Sequence, residues 1–334
     1  MNRTVDLFYH GYEIKALDRP LGRMQSNMHL AARTIYRHVR GRQLYTGFYT
    51  AFTNLRRGLE AVGVDVRIND FSHARRNPRM PIGICGFPGV FEKVTLPNPA
   101  VFGPGYVPPA DQIEAVTGKC NIAIFTQPSE WPCAALRPAL GDRIQPLFAP
   151  IILDRWPDVS AAPKTHDVLI YDKIHWHRDE LVPRISDRLK QHFKEKGLSF
   201  HGLRYGSHRS RDFRAALKAS RAVAFLSHHE TQGLAYQEAM ASGLPVFVWN
   251  EGKFMDPQDQ QTTGISPAVS SAPYFDERCG MMFTETDIET SFDEFWNSRQ
   301  RFRPREFVSE VLSPQQCARI YLALLDRAAQ WGPR

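Results

Sequence analysis

Two glutamates, Glu230 and Glu238, stand eight positions apart in residues 227–245 (SHHETQGLAYQEAMASGLP), with Thr231, Gln232 and Gly233 between them. The stretch follows an apolar run at 222–226 and leaves through Gly243 and Pro245. This pattern predicts a buried strand, a turn at 230–233 and a helix over 233–242. The first N–H groups of a helix have no internal partner and lie at the positive end of its dipole, so a diphosphate can bind them directly. Gly233 lacks a Cβ and lets a ligand come close. Glu230 falls in the loop and Glu238 about two turns along the helix. A diphosphate at the helix start therefore has a carboxylate toward each end of the molecule that carries it, and ionised carboxylates accept well from paired hydroxyls.

The elements that must hold this turn are legible around it. Residues 168–171 (VLIY), 199–205 and 246–249 (VFVW) read as strands. Residues 178–196 carry Leu181, Ile185, Leu189 and Phe193 on one helical face, with Gly197 as the stop. Residues 210–220 carry Phe213, Ala216 and Leu217 in a second stripe. Strands alternating with helices at this spacing predict a parallel sheet, buried on both faces. The first half is a rougher α/β unit. Strands are expected at 5–9 and 64–68, with short apolar runs at 82–85, 94–96, 122–125 and 144–148, and helices at 48–62, 111–117 and 133–140. The proline-rich stretch 96–109 reads as a loop, 149–164 as an interdomain linker, and 314–331 as a terminal amphipathic helix.

The chain has 334 residues, 43% hydrophobic and 23% charged, which is enough apolar material for two cores. No apolar run reaches the ~20 residues of a membrane span. The first residues lack a long apolar segment with a cleavage site, so the cytoplasm is the expected compartment. Five widely spaced cysteines without a C-x-x-C pair argue against a disulfide framework or structural zinc and for buried thiols. The formal net charge is +7, and Arg33, Arg37, Arg40, Arg42, Arg56, Arg57, Arg75, Arg76 and Arg79 gather in the first domain. Such a face is compatible with anionic glycans or with peripheral contact at the inner face of a membrane. No helix-turn-helix, RNP or zinc-finger pattern accompanies the charge, so nucleic acid is not an expected partner. His228 and His229 adjoin Glu230, but adjacent side chains of an extended segment point apart, and no metal site is expected.

The run Ser-x-x-Glu, seven residues, Glu-Ala-Met-Ala-x-Gly-x-Pro-Val resembles the E-x7-E region of retaining GT-B glycosyltransferases, especially the family 4-like group of glycosyl transferases group 1. The close match covers about 25 residues, and the strand–helix order of 168–249 is similar to that family's C-terminal domain. The resemblance implies an α/β GT-B fold, two Rossmann-like domains facing across a cleft. An acceptor-side domain is expected at 1–160, a nucleotide-sugar-binding domain at 161–300, and a helical tail at 301–334 that packs back on the first domain. It implies a hexosyltransferase of class EC 2.4 that moves a hexose-type sugar, with retention, from a nucleotide-sugar donor to a glycan or lipid-linked acceptor, without a metal or other cofactor.

The same resemblance assigns residues. Glu230 would contact the donor sugar, Glu238 the ribose, and the amides near Thr231, Gln232 and Gly233 the diphosphate. Lys173 and Arg178 would neutralise the phosphates, although the family more often has arginine first and lysine second. Thr46 and Gly47 would supply the glycine-bearing loop of the first domain, with one glycine where the family usually has more. Phe125-Thr126-Gln127-Pro128 replaces the histidine the family often carries at the end of an N-domain strand. Two alternatives stay open: a sugar-nucleotide epimerase or phosphorylase of the same fold, and a non-catalytic nucleotide-sugar-binding protein.

Overall fold

The structure is a computed structural model that describes residues 3–14, 21–39, 46–256 and 268–331. Arg40 and Arg42 lie outside the described residues, as does the side chain of Arg37. The chain divides into two compact units, Met1–Pro150 with Leu312–Arg334, and Ile151–Val311.

The first unit is built on six parallel strands: β1 (Thr4–His10), β2 (Asp65–Ile68), β3 (Ile82–Gly86), β4 (Ala100–Gly105), β5 (Ile122–Gln127) and β6 (Ile144–Pro146), in the order β2-β1-β3-β4-β5-β6. Alternation along β1 separates two cores. Phe8 joins Ile84, Phe91, Phe102 and Phe125 on one face. Tyr9, on the other, packs its ring 4.7 Å from Phe52 of the helix Gly47–Ala61. The terminal helix Pro314–Ala329 covers the same face, with Tyr321 over Gly83, and Pro314 lies against Gly58.

Two expectations are corrected in this unit. Val94 and Leu96 are buried but residues 94–96 form no strand, and the strand lies at β4, inside the stretch expected to be a loop. The apolar Ala100-Val101-Phe102 pairs on both sides with β3 and β5, and this outweighs the prolines. Pro97 and Pro99 precede β4, and Pro104 falls at its irregular end, where a missing N–H is tolerated. Helix Gly22–Val39 was not expected from the sequence. Leu21, Met24, Met28 and Ile35, at helical spacing on one side of this segment, are all more than half exposed.

The second unit carries β7 (His166–Lys173), β8 (Phe200–Arg204), β9 (Ser220–Ser227), β10 (Val246–Trp249) and β11 (Gly280–Phe283), all parallel, in the order β11-β10-β9-β7-β8. β11 and the helix Ile288–Ser298 went unread in the sequence, yet Phe283, Phe292 and Phe295 complete the core around Phe247 and Phe193. The expected helix at 178–196 opens into a wider π turn over Val182–Asp187. Pro183 has no N–H to give and its ring crowds the carbonyl four residues back, so the helix widens there. Counted within each unit, both sheets place the first strand between the second and the third. Chain direction across the sheet reverses between the first and third strands, and ligands of such sheets bind at that point, outside the carboxyl ends. In the second unit it lies between β7 and β9.

Candidate functional site

The carboxyl ends of β7 and β9 lie side by side, with Lys173 paired in register with Ser227. The Lys173 ammonium donates to the Glu230 carboxylate at 2.7 Å, and Ser227 Oγ donates to Glu230 Oε1 at 2.7 Å. Lys173 also sits 4.8 Å from the centre of the Tyr205 ring, just past β8. Glu230 is only 6% exposed, so its charge is held by these partners and not by water. The loop beneath is pinned from a distant segment. Glu230 N–H donates to the Ser270 carbonyl at 3.0 Å, buried Ser271 Oγ reaches the carbonyls of Ser227 and His228, and Ser271 N–H donates to Asn250 Oδ1.

The helix Leu234–Ala241 starts from Gly233, which has φ +83°. A Cβ there would stand 2.0 Å from Tyr236 Cε1. The Tyr236 ring is fully buried and its hydroxyl lies within hydrogen-bond distance of the carbonyls of Gln232 and Pro273, so it has no room to yield. Gln232 turns its side chain inward and donates to Gln237 Oε1 at 2.9 Å, while Gln237 Nε2 donates back to the Gln232 carbonyl. Gln232 thus fixes the turn through its side chain and carbonyl. Thr231 is exposed. At the far end Arg305 donates to the Ala241 carbonyl, a cation where the helix dipole is negative.

Glu238 is partly buried, and none of the described residues hydrogen-bonds its carboxylate. Burial disfavours its charge and raises its pKa to about 8, against the weaker pull of Arg214. It is an enclosed carboxyl whose hydrogen-bonding capacity the described residues leave unused.

Lys173 and Arg178 line one small cavity of about 80 Å³ together with Asp172, His175, Arg204 and Tyr205. The Arg178 guanidinium is forked onto Asp172 at 2.9 and 2.7 Å and also donates to the Ile174 carbonyl. Burial works against charge at Asp172, but hydrogen bonds from Arg178 and the Ile174 N–H hold its pKa below the usual range. Arg178 therefore braces the turn after β7, while Lys173 faces Glu230. His175 is pushed toward neutrality by burial and then by Lys173.

Thr46 caps the helix Gly47–Ala61, accepting from Tyr49 N–H at 3.3 Å. Its own N–H and Oγ–H both donate to Oε1 of the fully buried Glu13, whose Oε2 accepts from Tyr9 O–H at 3.0 Å. Gly47 is exposed, with open space where a Cβ would stand.

His228 and His229 are absorbed by aromatic packing. His228 lies beside Trp176 and Trp249, and burial lowers its pKa to about 4, while His229 stacks on Phe254 and Trp176. Among the described residues no group of three or more His, Cys, Asp or Glu could hold a metal ion, and all five cysteines are buried free thiols. Sequence reasoning missed Tyr205, Arg204, Ser227 and Ser271. The first three stand at the carboxyl ends of strands that were read in the sequence, Arg204 and Ser227 as last residues and Tyr205 just past β8, so the strand ends were the available signal. Ser271 comes from beyond β10 and gives no local sign.

Two parallel Rossmann-like sheets with interleaved helices constitute a GT-B fold, and this one is glycosyltransferase-like. The model of the family described as glycosyl transferases group 1 matches residues 185–270, which include Glu230 and Glu238. Among solved structures, the chain is similar to the sucrose-phosphate synthase of Thermosynechococcus elongatus (TM-score 0.56, 12% identity, 98% of each chain covered). It is also similar to the lipopolysaccharide outer core galactosyltransferase WaaB in its apo form (0.53, 8%, 97% of this chain and 99% of that one). A third is AviGT4, a glycosyltransferase involved in avilamycin A biosynthesis (0.50, 12%, 98% of each). At such identities the likeness concerns the fold. No curated protein matches the chain.

Proposed function

We propose that the protein is a metal-independent, retaining glycosyltransferase that moves a hexose-type sugar from a nucleotide-sugar donor to a glycan or lipid-linked acceptor. The observation that carries this reading is the Lys173–Glu230 pair at the point where chain direction reverses, beside the free amides of the helix that begins after Gly233. Departure of a nucleoside diphosphate concentrates negative charge on its phosphates, and preorganised cations and amides lower the cost of that charge. An ammonium has three N–H donors. The ammonium lies 2.7 Å from both Glu230 oxygens, which leaves an N–H for a phosphate oxygen. Glu230 then faces the sugar. Glu238, with no protein donor, accepts from the ribose hydroxyls. Arg178 contributes charge through its fork with Asp172, and Thr46 and Gly47 are further donor contacts in this reading.

The lipid-linked alternative for the acceptor draws support from the exposed stripe Leu21, Met24, Met28 and Ile35, with Arg33 nearby in the same helix, a pattern suited to peripheral contact with an anionic membrane. Among the described residues no helix is long and apolar enough to cross one.

The test is a thermal-shift panel of UDP-, GDP-, ADP-, dTDP- and CMP-sugars, followed by turnover with the nucleotide that stabilises most. One base should stand out, and its sugar should pass to an added acceptor with its anomeric configuration kept. Turnover of donor alone to a free isomer would point to an epimerase, and stabilisation without turnover on any acceptor to a binding protein.

A further inference from the structure

The largest cavity described in the second unit is not at the carboxyl ends of its sheet. It has a volume of about 600 Å³, in the range of small-molecule sites, and lies at the opposite, amino ends. Lys164 stands two residues before β7, Arg221 is the second residue of β9, and Pro245 immediately precedes β10. The eight-residue β7 separates this end from Lys173 by roughly 20 Å.

Five cationic side chains line it: Lys164, Arg221, Arg299, Arg303 and Arg305. Asp158 and Glu306 are the acidic ones. Of the five cations, only Arg221 forms an ion pair among the described residues, with Asp167 at 3.2 Å. The others are positioned by main-chain carbonyls. Lys164 donates to Val159 and Lys218, Arg299 to Trp296, Arg303 to Gln300 and Phe302, and Arg305 to Trp156 and Ala241. Carbonyls orient a guanidinium without cancelling its charge. Arg221 in turn pushes the Lys164 pKa down, after burial, so like charges crowd one another here. Asp158, whose carboxylate is fastened to the Ser160 N–H at 2.9 Å, compensates part of the excess. Cations held in place by neutral groups, around a concave space, form a receptor for a compact anion, and guanidinium forks match phosphate oxygens in pairs.

We propose that this cavity is a second ligand site, separate from the donor site, that takes a soluble phosphate monoester, with Arg221 and Arg303 among its phosphate contacts.

The test is binding of glycerol 3-phosphate to the full chain by calorimetry and thermal shift, with glycerol and potassium chloride at matched ionic strength as controls. Glycerol 3-phosphate should bind and stabilise, and neither control should. Arg221→Gln combined with Arg303→Gln should weaken binding at least about tenfold, as loss of charged hydrogen bonds does. Lys173→Gln, at the other end of the sheet, should leave it unchanged, so this result stands or falls apart from the donor reading. Should the double variant unfold, Arg299→Gln alone serves, and it should weaken binding in the same direction. An equal shift with potassium chloride, loss of binding in Lys173→Gln, or retention of only vesicles containing phosphatidic acid would each overturn the proposal.

Discussion

Both units present an acidic side chain at the reversal point of the same kind of sheet, and they use it in opposite ways. In the second unit Glu230 follows β9 and is met by the mobile end of a lysine, beside free helix amides. In the first unit Glu13 follows β1, is fully buried, and has its carboxylate taken by Tyr9 O–H and by the N–H and O–H of Thr46. Glu13 ties strand to helix through these three bonds. The same topology thus places a carboxylate at each sheet, and the local donors differ: Tyr9 and Thr46 at Glu13, Lys173 and Ser227 at Glu230.

Exchanging the acids for amides breaks the comparison most sharply. Glu230→Gln keeps the shape but removes the charge that orients Lys173. Turnover should fall by about 10²–10³, the usual cost of removing one preorganised charge, with the melting temperature little changed. Glu13→Gln should do the reverse. It should cost about 1–3 kcal/mol of stability in denaturant titration, because a buried amide puts N–H against the Tyr9 and Thr46 donors, with turnover altered far less. Equal losses of activity in both variants would dissolve the distinction.

Next in size is Gly233→Ala. The residue must hold a positive φ and its methyl would meet the immobile Tyr236 ring, so about 2–4 kcal/mol of stability should be lost, with donor affinity falling as the helix start shifts. The parent melting temperature in this variant would mean that the turn repacks freely.

This turn was also the most legible part of the chain. The apolar run, Glu230, Gly233 and the Gly243–Pro245 exit all lie within residues 222–245, so local pattern and tertiary structure agree. β4 was not legible, because Pro97, Pro99 and Pro104 argue for a loop and only pairing with β3 and β5 overrides them. Arg178 was assigned through the resemblance alone, and its fork with Asp172 left no sign in the sequence. Ser271 reaches the loop after β9 and Arg305 the far end of the helix Leu234–Ala241, both from far along the chain, and neither leaves a periodic trace.

Glu238 sharpens the comparison through pH. An ordinary glutamate of pKa near 4.5 is ionised in the unfolded chain above that pH, whereas folding holds this one protonated until about pH 8. The raised pKa means that stability is undiminished below about pH 4.5 and is lost progressively as pH rises to 8. Glu238→Gln removes the loss. Its unfolding free energy in denaturant titration should exceed the parent's most at pH 8–9, by an amount on the order of 2 kcal/mol, and the two should converge toward pH 5. If ribose hydroxyls donate to this carboxylate, saturating donor should raise the parent's melting temperature more than the variant's. A constant gap across pH would remove the argument from burial.

The smallest expected effect falls at Gly47, in the first unit, and it separates ligand contact from fold. Gly233 is required by its own backbone and by Tyr236. Gly47 has neither constraint, since nothing lies within 4 Å of an added Cβ and the residue opens a helix that Thr46 already caps. Alanine there should be neutral or stabilise by up to about 0.5–1 kcal/mol, because it narrows the unfolded ensemble. The proposed donor contact predicts a cost that appears only with ligand: unchanged or raised melting temperature in the free protein, and a several-fold weaker Kd for the nucleotide sugar. Unchanged affinity would mean that this turn serves only the Glu13 lock, and that the donor is gripped by the second unit alone.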